Sequence, residues 1–185
     1  LAHWRVAPEC INYRRFFDIN HLIGIRVEDA DVFRRTHDLI GRLVSRGWIT
    51  GLRVDHIDGL YDPSAYLERL RQAFPRLYIV VEKILAPGEE LPRPWPAQGT
   101  TGYDFLNAVN GLFVRGESEA SFDRLYRRFS GWTGTYGGLL AEKKRLVLKR
   151  LFPADLERLN RLAARVARGT RRGRDLTEGR LREAL

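Results

Sequence analysis

Two β-prone runs, each ending in a carboxylate and separated by one amphipathic helix, limit what this chain can fold into more than any other feature. Trp48–Val54 runs into Asp55, and the wholly apolar Leu77-Tyr78-Ile79-Val80-Val81 runs into Glu82. Short runs rich in Val, Ile and Tyr read as strands. The unbroken apolar character of the second run predicts burial on both faces. Between them, Asp62-Pro63 opens a helix, with an N-cap acceptor followed by a residue whose missing N–H is no loss in the first turn. Tyr66, Leu67, Leu70 and Phe74 form the stripe of that helix, and Pro75 ends it. Upstream, Asp31–Arg46 shows helical periodicity in Val32, Phe33, Leu39, Ile40, Leu43 and Val44, with Asp29 or Asp31 as cap and Gly47 as the C-terminal stop. Helix–strand–helix–strand with short connections is the rhythm of a parallel α/β sheet or barrel. In a (β/α)8 barrel the C-terminal ends of the strands form the catalytic face. Parallel strands about 4.8 Å apart would let Asp55 and Glu82 share a cleft.

The rest of the chain has a different character. Residues 86–102 gather Pro87, Pro92, Pro94, Pro96, several glycines and Trp95, and read as a long loop over the site. After Tyr103–Phe113 come three helical patterns, Ser121–Phe129, Leu139–Leu151 and Ala154–Arg168, and then a charged, partly frayed end over 169–185. No strand is expected after about residue 115. The expected fold is therefore α/β: a partial (β/α)8 (TIM) barrel over residues 1–115, then a mostly helical subdomain over 116–185. A full barrel takes about 250 residues. The chain has no methionine and opens on Leu1, so a piece of a longer protein is expected.

Composition narrows the function classes. An apolar fraction of 44% and a charged fraction of 30% are those of a globular chain. No apolar run approaches membrane-spanning length, and the N-terminus lacks the pattern of a signal peptide. The single cysteine, Cys10, cannot form an internal disulfide, which fits a cytoplasmic location and a bystander thiol. The net charge of +9 is uneven, for residues 141–185 hold 14 Lys/Arg against 6 Asp/Glu. Such a tail could meet a polyanion. It has no aromatic residue after Phe152 for base stacking, so a solvated helix face is the stronger reading and nucleic acid the weaker.

Two carboxylates flanking one bond are the minimum equipment for glycosyl transfer: one attacks and the other delivers a proton. Arg53 precedes Asp55 by two residues on one strand, so both side chains point the same way, and a guanidinium there would hold Asp55 ionised. Glu82 follows an apolar run, which predicts a less polar setting that would help it keep a proton. An ordinary strand-end ion pair is the bland alternative. Asp55, His56 and Asp58 also sketch a metal cluster, but neighbours on a strand face opposite ways and would converge only at a turn. No metal and no cofactor are expected.

The run Gly51-Leu52-Arg53-Val54-Asp55-His56-Ile57-Asp58-Gly59-Leu60 resembles the second conserved region of the α-amylase superfamily, and Val80-Val81-Glu82-Lys83-Ile84 resembles the third. Within that superfamily, Ile11–Ile19, Gly99–Asn107, Glu142–Leu148 and Asp155–Leu159 are similar to stretches of the maltooligosyl trehalose synthases. The resemblance runs over roughly residues 8–170. It implies that Asp55 is the nucleophile, Glu82 the general acid/base and Arg53 the residue that orients the nucleophile. It further implies an intramolecular, retaining transglucosylation that converts the reducing-end α-1,4 linkage of a maltooligosaccharide into α,α-1,1, in trehalose biosynthesis.

Candidates for sugar contact are His56, Asp58, Lys83, Tyr13, Arg15, Phe16, Phe17, Trp95 and Tyr103. The aromatics among them could serve as platforms for the apolar face of a pyranose. The expected partners are an α-1,4-glucan and the remainder of the parent enzyme. The superfamily's third acid, an Asp after a His near the seventh strand, has no counterpart here, since His37-Asp38 lies on a helix before the nucleophile. The first conserved region is absent as well. A hydrolase or 4-α-glucanotransferase would use the same two carboxylates. A non-catalytic chain working through its basic tail would not need them.

Overall fold

The computed structural model describes residues 3–185. In chain order the elements are α1 (Ala7–Cys10), β1 (Arg15–Phe16), β2 (Ile19–Ile23), α2 (Ala30–Ser45), β3 (Gly51–Val54), α3 (Pro63–Ala73), β4 (Tyr78–Val81), β5 (Gly99–Thr100), α4 (Tyr103–Gly111), α5 (Glu119–Ser130), α6 (Tyr136–Leu151), α7 (Pro153–Arg168) and α8 (Glu178–Ala184). The chain is a mixed α/β structure with one two-stranded and one three-stranded sheet. It divides into two compact units, Ile25–Asp123 and a second made of the segment up to Gly24 with Arg124–Leu185. The N-terminal segment thus groups with the C-terminal helices, a different partition from 1–115 and 116–185.

The strand-bearing unit is built on β3, β4 and β5, all parallel and in that order. Val54 aligns with Val81, and Val81 with Thr100, so the three strands end on one level. Helix α2 is capped by Asp29, whose carboxylate accepts the N–H groups of Asp31 and Val32; those two bonds hold its carboxyl below the usual range. The cap is Asp29, not Asp31. Gly47 follows at φ 68°, the left-handed stop the sequence expects. Helix α3 starts at Pro63 with the Asp62 side chain accepting the Ala65 N–H at 2.9 Å.

The core of this unit joins Phe33, Ile57, Leu67, Leu70, Leu77, Ile79 and Val81, with Tyr66 and Phe74 packed partly against it. The second strand differs from expectation. It is buried on one face only: Ile79 and Val81 are fully covered while Tyr78 is 58% exposed. Trp48 lies outside the first strand, exposed, with the Arg46 guanidinium 5.0 Å above its ring. The Pro-rich segment contains β5, which the sequence hides in a loop. Two side chains bring it in. Gln98 accepts the Ile79 N–H through Oε1 at 2.7 Å, and Arg71 of α3 donates to Gln98 Oε1 and to the carbonyls of Pro75, Leu77 and Pro96.

The helical unit contains the antiparallel β1–β2 hairpin, turned through Phe17 at φ 51°. Arg15 donates to Asp18 O, Asn20 Oδ1 and Leu151 O. Helices α6, α7 and α8 follow, α6 capped by the Thr135 hydroxyl and α8 by that of Thr177. Residues 169–185 are less frayed than expected. Helix α8 packs on α7, and Arg168 pairs with Glu178 and Arg182 with Glu157. No helix among the described residues is long and apolar enough to cross a membrane.

Candidate active site

Strand geometry places the central residues. Side chains alternate along a strand. Leu52 and Val54 of β3, with Ile79 and Val81 of β4, therefore pack on the core side, while Arg53 and Val80 take the opposite face. Asp55 and Glu82 are the residues immediately after the aligned pair Val54 and Val81, so parity and register together bring the two carboxylates side by side. Arg53 lies between them. Its Nη1 is 2.6 Å from Asp55 Oδ1 and its Nη2 is 3.4 Å from Glu82 Oε1. The guanidinium and Asp55 are half exposed, so the ion pair contributes at most about 1 kcal/mol to stability. Its consequence is orientation, because a planar fork fixes where each oxygen points.

His56 makes the turn that follows. It sits at φ 47°, a left-handed conformation uncommon for a residue with a side chain. The turn aims the His56 N–H at Glu82, whose Oε2 accepts it at 2.8 Å. The expected apolar setting for Glu82 is therefore corrected. One of its oxygens accepts a backbone N–H, the other faces a guanidinium, and its side chain keeps 25% of its exposure. The apolar run before it packs the opposite face of the strand, so it says little about what surrounds the strand end.

Asp58 and Lys83 also meet. Lys83 Nζ donates to Asp58 Oδ1 at 3.0 Å and Oδ2 at 3.1 Å, which links the two strand-end turns beside the Glu82 contact. Their charges are spent on each other in this structure. Asp55 and Asp58 thus face cations of the protein, and no group of three His, Cys, Asp or Glu side chains is gathered as metal ligands would be among the described residues.

The remaining candidates are spread out. Trp95 is half buried against the core of the strand-bearing unit, a packing role and not an open platform. Tyr103 begins α4 after Gly102 at φ 98°. There the Thr100 hydroxyl donates to Asp104 and accepts the Gly102 N–H, and the Thr100 hydroxyl, followed by backbone N–H groups, keeps the Asp104 carboxyl below its ordinary value. Tyr13, Arg15, Phe16 and Phe17 belong to the helical unit. Tyr13 donates its hydroxyl to Asn20 O at 2.6 Å, Arg15 is held by the hairpin, and the rings of Phe16 and Phe17 meet edge to face at 4.5 Å.

Two residues at the strand ends escape a reading by residue type. Thr101 follows β5 on the same level as Asp55 and Glu82, and its hydroxyl is buried with no hydrogen-bond partner. Gly59 closes the turn after Asp55, with its N–H donating to His56 O at 2.9 Å. Only the repeated strand-end position could have pointed to Thr101.

One guanidinium thus fixes two carboxylates at neighbouring strand ends, and known proteins are similar in sequence over this stretch. A putative maltooligosyl trehalose synthase of Mycobacterium tuberculosis (strain CDC 1551 / Oshkosh) is 40% identical over 168 residues, which is 90% of this chain and 22% of that protein. The solved maltooligosyltrehalose synthase from Arthrobacter ramosus superposes with a TM-score of 0.80 at 40% identity, covering 85% of this chain and 21% of that one. A structure described as DSM5389 glycosyltrehalose synthase gives 0.76 at 46% identity, over 82% and 21%. In sequence and fold the chain is related to the maltooligosyl trehalose synthases. It spans about a fifth of the length of these relatives. No family model matches the chain.

Proposed function

We propose that this chain supplies the nucleophile and the acid/base of a maltooligosyl trehalose synthase. In this reading the Asp55 carboxylate attacks the anomeric carbon of the penultimate glucose of a maltooligosaccharide. Glu82 protonates the departing oxygen of the reducing-end glucose. The freed glucose stays bound, turns, and presents its own anomeric hydroxyl. Glu82 takes that proton while the oxygen displaces Asp55, leaving an α,α-1,1 linkage. Two displacements give net retention, and water must be kept out or the product is a shorter reducing chain.

The observation that carries the reading is the single guanidinium of Arg53 reaching both carboxylates at the ends of two in-register parallel strands. The related enzymes, named for maltooligosyl trehalose synthesis, support the substrate class. Strands β3 and β5 are the two edges of the parallel sheet, so further strands of a partial barrel, and the third acid, would come from the remainder of a longer polypeptide.

The test grafts residues 8–170 into the corresponding stretch of the Arthrobacter ramosus enzyme and incubates the product with maltopentaose. Proton NMR should show an α,α-1,1 anomeric signal, and Glu82→Gln should reduce its rate of appearance by about 10²–10⁴-fold. Shorter reducing chains in place of that signal would make the site hydrolytic and overturn the reading.

A further inference from the structure

We infer that Gly59 is a positioning residue for the acid/base: its bare Cα seats the His56 imidazole, and that seat holds the His56 N–H on the Glu82 carboxylate. The part played by Glu82 rests on the function proposed above, but the geometry does not.

His56 needs support because a left-handed φ of 47° is unfavourable for any residue with a Cβ. Three features supply it. The next residue, Ile57, is fully buried in the core and anchors the turn. The His56 carbonyl accepts the Gly59 N–H at 2.9 Å. The His56 ring itself lies against Gly59, where a Cβ would fall 2.6 Å from Nδ1, 2.7 Å from Cε1 and 3.2 Å from Cγ. Real Cβ atoms do not approach that closely, so any side chain at 59 displaces the ring.

The glycine is not there for its own backbone. Gly59 is absent from the glycines at positive φ, so an alanine could adopt its conformation. The three atoms nearest an added Cβ all belong to the His56 ring. What position 59 contributes is space, and that space is filled by the residue whose N–H holds Glu82 Oε2 at 2.8 Å. Displacing the ring removes the packing that keeps residue 56 left-handed, and relaxing φ there rotates the N–H away from the carboxylate.

The test reads the amide proton of residue 56 by NMR in the ¹⁵N-labelled chain. An N–H donating to a carboxylate is shifted downfield, so Glu82→Gln should move it upfield. In a Gly59→Ala background that response should fall to less than about half. In a His56→Gly background, where residue 56 has no ring and accepts a left-handed φ, the response should return and be indifferent to Gly59→Ala. A full response in Gly59→Ala alone would overturn the inference, as would an equal loss in the His56→Gly background. If Gly59→Ala alone does not fold, the His56→Gly pair decides: failure of Gly59→Ala to be tolerated there refutes the ring as its cause. The readout needs no turnover, so a graft that makes no α,α-1,1 product, beside an intact response in the labelled chain, would refute the synthase reading alone.

Discussion

The two units of this chain bury their apolar residues very differently. In the strand-bearing unit a sheet face and two helices close over Leu67, Leu70, Ile79 and Val81, all fully covered. In the helical unit Asn160, Ala164 and Gly173 are the buried residues among those described, while Leu159 and Leu162 remain 49% exposed and Val166 65%. A layer of helix on sheet encloses a core with few residues, because the sheet presents a continuous wall. Helices joined by short turns meet along narrow stripes and leave the rest of each apolar face open. The unit that carries the carboxylates is thus the one with its own core, and catalytic geometry needs such a rigid support.

Core truncation should separate the units most widely. Leu70→Ala is expected to destabilise the strand-bearing unit by about 2–5 kcal/mol, and Leu162→Ala the helical unit by less than about 1.5 kcal/mol. Native-state hydrogen exchange at Val81 and at Ala164 reads the two separately, and equal losses would break the comparison.

A smaller effect should be confined to the strand-bearing unit and depend on pH. His37 stacks on Phe33 at 4.0 Å, with Nδ1 2.9 Å from Phe33 O and Nε2 2.9 Å from the Tyr66 hydroxyl. Burial first lowers its pKa below the ordinary 6.5, against the hydrogen bond to Phe33, which raises it. A depressed folded-state value means the unfolded chain takes up the proton first. Stability should therefore be full above pH 6.5 and fall as the pH drops from there through the folded-state value. Urea midpoints between pH 8 and 5 should show this slope, and His37→Gln should flatten it. A slope unchanged by the substitution would assign it to other groups.

The smallest effect should belong to the helical unit. Arg168 and Glu178 are both more than half exposed, so Arg168→Ala should cost less than about 1 kcal/mol and less still in high salt. A larger loss in thermal unfolding would mean the basic end is held more firmly than its exposure suggests.

What the sequence reveals follows the same division. Asp55 and Glu82 stand out because β-prone runs lead straight into them, and parity then places Arg53 beside Asp55. Helices α2 and α3 announce themselves by period and caps, α6 and α7 by their helical pattern alone. Strand β5 stays hidden because it is two residues long and is recruited by the side chains of Gln98 and Arg71, contacts between distant parts of the chain. The β1–β2 hairpin is hidden because a phenylalanine takes the left-handed turn position that a glycine would have advertised. Helix α8 lacks an apolar stripe and is defined by a threonine cap and charge pairs. The surroundings of Glu82 are not legible in the run before it, because a strand's own residues describe its flanks, whereas its end is furnished by the neighbouring turn.

The level endings of β3, β4 and β5 also make a three-place socket strip of positions 55, 82 and 101. Each socket follows the last residue of its strand, and at 82 and 101 the backbone N–H still donates to the neighbouring strand, to Val54 O and Val81 O, so that main-chain bonds hold the row. Residues plugged into the strip can therefore be exchanged while the hydrogen-bonded frame beneath stays as it is, which makes this row the place where a designer could write a different chemistry onto the same scaffold.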